Sequence, residues 1–165
     1  MARVVLVGLP GCGKTTLARA LARAWGCDVL DTDEVLSASV SMPAAQYLRS
    51  HGEADFRRHE VSALREALAA DAVVSTGGGV VVSETARELL KDQVTVWLDC
   101  GDEVLLSRLD DGDRPLLGEE PAGAIARLRR EREAWYREVA RERVDCAGDV
   151  DEVLGALRRV LEVAT

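Results

Sequence analysis

Four consecutive aliphatic residues, Val4-Val5-Leu6-Val7, run straight into Gly8-Leu9-Pro10-Gly11-Cys12-Gly13-Lys14-Thr15, and the pattern from Thr16 to Trp25 is helical. An unbroken apolar run of this length suits a strand buried on both faces of a parallel sheet. A glycine-rich turn between strand and helix lets backbone approach a ligand closely. It also aims several N–H groups and the positive end of the helix dipole at one point. The spacing G-x-x-x-x-G-K-T adds a lysine for β- and γ-phosphates and, in Thr15, a hydroxyl suited to the Mg²⁺ that a nucleotide carries. The expected ligand is a nucleoside triphosphate, with Gly11, Cys12, Gly13, Lys14, Thr15 and Thr16 as its binding positions.

At 165 residues the chain is expected to form one domain, residues 1–165, large enough to bury a core without disulfides. No apolar run approaches the roughly 18 residues of a membrane span, and the N-terminus enters a strand without the succession of a signal peptide. The expectation is a cytoplasmic protein, by default a monomer. A net charge of −8 argues against nucleic acid or an anionic membrane as partner. Cys12, Cys27, Cys100 and Cys146 are scattered, so neither a zinc site nor a disulfide frame is expected. Cys27, Cys100 and Cys146 read as small buried residues. Cys12, at a helix N-terminus, reads as a reactive thiol that bound nucleotide would shield.

Further along, Val29-Leu30 leads into Asp31-Thr32-Asp33. Carboxylates at the end of a parallel strand fall in the crevice where doubly wound sheets bind ligands, so Asp31 suits Mg²⁺ and Asp33 an acceptor hydroxyl. A solvated turn with Asp33 as helix N-cap remains open at this point. Helices are predicted over Pro43 to His51 and Glu53 to Ala70. On the second, Phe56, Glu60, Leu64 and Leu68 share a stripe, and Arg57 stands one turn before Glu60. Ala72 to Ser75 is a second apolar strand running into Thr76-Gly77-Gly78-Gly79, where loss of every Cβ suits a ligand against the backbone or a flexible turn.

A helix from Ser83, a strand over Val94 to Leu98 and a helix over Asp102 to Leu109 carrying Arg108 follow. The segment at about 110–121 holds Gly112, Arg114, Pro115, Gly118 and Pro121 and is expected to be a mobile lid. On the next helix, Ala122 to about Arg141, residues Ile125, Leu128, Trp135 and Val139 form the core stripe with Arg132 among them. An arginine there meets an anion or snorkels out. A short strand at Val144 and a helix over Val153 to Val163 close the chain.

Taken together, G-L-P-G-C-G-K-T-T, L-D-T-D, G-E-A-D-F-R-R-H-E, S-T-G-G-G-V, R-P-L-L and R-E-A-W-Y resemble the shikimate kinase family of P-loop phosphotransferases over nearly the whole chain. The resemblance implies a three-layer αβα sandwich around a five-stranded parallel sheet. It also implies transfer of the γ-phosphoryl group of ATP to the 3-hydroxyl of shikimate, within aromatic amino-acid biosynthesis. Its implied roles put Lys14 and Thr15 on phosphate and Mg²⁺, Asp31 on the metal through water, and Asp33 on the substrate hydroxyls as candidate base. Arg57, Arg132 and Gly78, flanked by Gly77 and Gly79, would hold the substrate, with the substrate-binding helices at about 33–61. Arg114 would reach the phosphates and Arg108 would lie beside adenine. Two lysines against nineteen arginines fit this scheme, since guanidinium forks recognise a carboxylate bidentately.

Two positions depart from the family pattern. Leu48 replaces a common phenylalanine near the substrate ring, and Ala147-Gly148-Asp149 offers no basic residue near adenine. Competing readings are a related kinase for gluconate or a cyclitol and a catalytically silent nucleotide-binding regulator. The absence of asparagine removes the guanine-reading N-K-x-D motif, and no H-R-D or D-F-G is present.

Overall fold

The computed structural model describes residues 1–109 and 120–163. Most of the lid expected at about 110–121, including Arg114, lies outside the described residues.

The three apolar runs form the centre of the sheet as β1 (Val4–Val7), β3 (Ala72–Ser75) and β4 (Thr95–Asp99), and each is buried along its whole length. The more polar β2 (Asp28–Asp31) and β5 (Glu142–Asp145) are the edges, in the order β2-β3-β1-β4-β5 with every neighbouring pair parallel. Strands with layers on both faces read as continuous apolar runs, and edge strands need not. The strand β4 extends one residue beyond the predicted end because Asp99 accepts from Arg129 Nη1 at 2.9 Å and Arg143 Nη2 at 2.7 Å, which compensates its burial.

Helices α1 (Lys14–Trp25) and α8 (Val150–Val163) pack together on one face. Helices α4 (Glu53–Ala69), α5 (Glu84–Lys91) and α7 (Pro121–Val139) cover the other, and α6 (Asp102–Leu109) leans on α7. The result is the expected αβα sandwich. Pro121, expected in the lid, is the first residue of α7, where its missing N–H costs nothing. Ser83 caps α5 by accepting from Ala86 N at 3.3 Å.

Adjacent strands β1 and β3 send their following helices to opposite faces, so their loops part and leave a crevice at the carboxyl end of the sheet. Over that crevice stand α2 (Thr32–Val40) and α3 (Ala44–His51), which share with α4 a small core of their own: Leu36, Tyr47, Phe56 and Ala63.

Candidate active site

Beneath the loop that follows β1, a Cβ on Gly8 would stand 2.4 Å from the Leu98 carbonyl oxygen, so only glycine lets the loop lie against β4. Gly13 turns into α1 with φ +88°, a conformation that side chains disfavour. Lys14 is buried and folds back over the loop, its Nζ donating to Gly8 O at 2.7 Å, Leu9 O at 3.2 Å and Cys12 Sγ at 3.4 Å. These are ligands an ammonium can exchange for phosphate oxygens. The reading of Cys12 as a reactive thiol fails on access: its side chain is fully buried, with the sulfur turned under the loop beside Gly8. Cys100 and Cys146 are buried as expected, while Cys27 is only partly so.

Thr15 Oγ1 donates to Asp31 Oδ2 at 2.9 Å and lies 3.4 Å from Ser75 Oγ. Hydroxyl and carboxylate oxygens at a phosphate loop are the hard donors that Mg²⁺ takes in small number alongside water and phosphates. Among the described residues no three-residue His, Cys, Asp or Glu metal cluster exists. Asp31 also caps α2, accepting from Asp33 N at 2.9 Å through its other oxygen. The capping alternative for Asp33 is therefore corrected to Asp31, and the Asp33 carboxylate faces the crevice instead.

There it lines a cavity of about 250 Å³ with Arg57, Glu60, Arg132, Leu48, Phe56, Pro10 and the three glycines. A Cβ on Gly77 would stand 2.8 Å from Asp33 Oδ1 and one on Gly79 2.5 Å from Arg57 Nη1, so bare backbone lets both groups pack against the turn. Arg57 donates to Glu60 Oε1 at 2.8 Å and Glu53 Oε1 at 3.4 Å. The Nε atoms of Arg57 and Arg132 are buried with no hydrogen-bond partner among the described residues. Orphaned buried donors are rare and call for an acceptor. Burial pushes the Asp33 carboxyl above its ordinary value, the nearby Asp31 charge adds to the rise, and Lys14 and Arg57 oppose it. Burial likewise raises Glu60, against the pull of Arg57.

On the other side of the phosphate loop a cavity of about 350 Å³ is lined by Cys12, Gly13, Thr16, Arg108, Gly148 and Asp149, among others. Arg108 Nη2 donates to the carbonyls of Cys146 at 2.6 Å and Gly148 at 3.2 Å, and its Nη1 to Cys12 O at 3.4 Å. Arg108 thus ties the segment after β5 to the phosphate loop and is, among the described residues, the one basic residue lining this cavity.

Of the predicted site residues that the structure describes, Asp33, Arg57, Gly77, Gly78, Gly79 and Arg132 line the first cavity and Cys12, Gly13, Thr16 and Arg108 the second, whereas Gly11, Lys14, Thr15 and Asp31 line neither: Gly11 lies within the loop, Lys14 and Thr15 begin α1, and Asp31 ends β2 beside Thr15. The structure refines the stripe on α7: Tyr136 is the fully buried aromatic, whereas Trp135 packs against the core only partly buried, with Arg87 over its ring at 4.9 Å. Helical spacing admits either residue, and the pattern carries no signal for the choice. Thr32, whose hydroxyl accepts from Gly77 N at 3.0 Å, is a further site residue that the sequence does not single out between its two carboxylates.

A family model described as shikimate kinase matches residues 10–162. A shikimate kinase from Corynebacterium jeikeium is 42% identical over 148 residues, 88% of this chain and 80% of that protein. The structure of a shikimate kinase from Acinetobacter baumannii in complex with shikimate superposes with a TM-score of 0.87 at 33% identity, covering 97% of this chain and 93% of that one. A gluconokinase from Sinorhizobium meliloti shares the fold alone, with a TM-score of 0.60 at 20% identity over 98% of this chain and 94% of that one.

Proposed function

The chain belongs to the shikimate kinase family, and from that premise we propose that it transfers the γ-phosphoryl group of ATP to the 3-hydroxyl of shikimate. The observation that carries the residue assignments is the pair of buried, unpartnered guanidinium Nε groups of Arg57 and Arg132 on one small cavity beside the phosphate loop. A compact acid with hydroxyls satisfies both. The backbone at Gly78 and Gly79 closes the opposite side, and Leu48 forms part of the wall.

In this reading the amides of Gly11, Cys12 and Gly13, with Lys14, Thr15 and Thr16, hold the phosphates. Arg108 flanks the base, and Arg114 supplies further positive charge. Thr15 and Asp31 would hold Mg²⁺, which when bound neutralises charge on the β- and γ-phosphate oxygens. Asp33 accepts the hydrogen bond of the acceptor hydroxyl and orients its oxygen in line with the γ-phosphorus. As the new O–P bond forms and the bridging P–O bond to ADP breaks, the hydroxyl proton passes to Asp33. The raised affinity of Asp33 for a proton suits that role. Because phosphoryl transfer passes through a loose transition state, alignment and charge carry most of the acceleration.

A single chain supplies every group assigned, so the working unit is a monomer. ATP as substrate and four free thiols suit the reducing cytoplasm. Among the described residues no helix is long and apolar enough to cross a membrane.

An assay coupled to ADP release, with shikimate, gluconate and a cyclitol as acceptors, tests the proposal. Turnover is expected with shikimate, and Arg132→Ala is expected to abolish acceptor use while MgATP binding persists. Preference for gluconate would replace the acceptor. ATP binding without ADP release for any acceptor would revive the silent regulator.

A further inference from the structure

Tyr136 is 1% exposed on the inner face of α7, one turn beyond Arg132, and its hydroxyl donates to the carbonyl of Gly78. Its ring stacks on Trp97 of β4 with centroids 6.0 Å apart, so the donor is held in place from below. The carbonyl it grips belongs to the same peptide unit as the N–H of Gly79. That peptide is trans, and a trans unit points its C=O and N–H in opposite directions. Fastening the carbonyl against α7 therefore turns the Gly79 N–H away from α7. Neither Gly78 N nor Gly79 N gives a backbone hydrogen bond among the described residues, and both glycines line the 250 Å³ cavity with Arg57 and Arg132.

Resting on the function proposed above, we infer that Tyr136 is a positioning residue for the acceptor: by fixing the Gly78–Gly79 peptide it holds the Gly79 N–H toward the carboxylate of the substrate. A clamp is needed because glycine on both sides makes rotation of that peptide inexpensive. From the other side Thr32 holds Gly77 N, so the turn is fixed at two consecutive residues. Burial pushes the Tyr136 phenol upward against the charge and hydrogen bond of neighbouring Arg132, with Cys12 and Glu60 adding to the rise, so the phenol stays a donor across the neutral range. Helix α7 then serves the acceptor twice, since Arg132 faces it directly and Tyr136 acts on it through the main chain.

The test is Tyr136→Phe, which removes one oxygen and keeps the ring on Trp97. We expect KM for shikimate to rise about tenfold, the scale of one well-placed hydrogen bond to a charged group, with KM for ATP unchanged. The shift in Tm produced by shikimate should shrink while that produced by ADP stays. Shikimate methyl ester, which lacks the carboxylate charge, should discriminate less between wild type and variant than shikimate does. If the wild type turns over shikimate and Tyr136→Phe leaves KM for shikimate unchanged, the clamp is overturned and the function stands. A wild type inactive on shikimate would remove the function and the clamp together. If Tyr136→Phe does not fold, protein carrying 2,3,5-trifluorotyrosine at position 136 keeps the shape but loses its proton more easily. KM for shikimate, and not that for ATP, should then rise with pH; a flat profile overturns the inference.

Discussion

Arg57 Nη1 stands 2.8 Å from Oε1 of Glu60 across one turn of α4, and Glu60 itself is almost wholly buried. One edge of the guanidinium is thereby committed to the protein while Nε remains buried without a partner. A flexible side chain becomes a fixed donor, and the entropy of ordering it is met during folding rather than at each binding event.

Removing that anchor should weaken the acceptor and spare the nucleotide. Glu60→Ala is expected to raise KM for shikimate about tenfold through misplacement of Arg57. Initial-rate measurements with each substrate varied in turn check this.

Asp33→Asn should lower kcat by about 10²- to 10⁴-fold, the usual contribution of a proton acceptor. It should also stabilise the ligand-free protein. A carboxyl whose folded pKa lies above its unfolded value contributes stability that is fully present below the unfolded value and is lost as pH rises through the folded one. At pH 7 the ionised Asp33 therefore costs stability, and the neutral amide restores it. We expect Tm to rise by roughly 2–4 °C at pH 7, with the difference closing as pH falls through the raised folded value of Asp33 and gone by the ordinary aspartate value. Thermal denaturation of both proteins between about pH 3.5 and pH 8 decides it.

Gly79→Ala places a methyl group where Arg57 Nη1 and Nη2 now lie, 2.5 and 2.7 Å from the new carbon. The backbone at φ −91° accepts alanine without strain, so the guanidinium moves and the fold stays. The expected result is a KM for shikimate raised about tenfold, with a Tm close to wild type. Circular dichroism melts alongside steady-state kinetics check both halves.

Arg108→Ala should act on the opposite substrate. It releases the segment after β5 from the phosphate loop and opens the 350 Å³ cavity. A rise of about tenfold in the dissociation constant of ATP is expected from lost charged hydrogen bonds, with shikimate binding unchanged. Calorimetric titration with each ligand separates the two.

The local signals are strong wherever backbone geometry itself demands particular residues. Val4–Val7 suited a buried strand and Gly8 to Thr15 a phosphate turn, because close backbone approach excludes side chains there. The apolar runs at Ala72 and Val96 placed the sheet, and the coincidence of six motifs in order placed the family. Sequence alone also paired Arg57 with Glu60, since one helical turn separates them.

Tertiary structure decided what lies across the fold. Tyr136 rather than Trp135 is the fully buried aromatic because the rotation of α7 is set by packing on β4 and α5, which helical spacing cannot see. Asp31 rather than Asp33 caps α2 because β2 ends one residue later than its apolar pair. The bond from Tyr136 to Gly78 spans 58 positions and exists only because β3 and α7 meet over the same crevice. Composition and pattern act through near neighbours along the chain, whereas the aim of a peptide N–H depends on which distant side chain reaches its partner carbonyl.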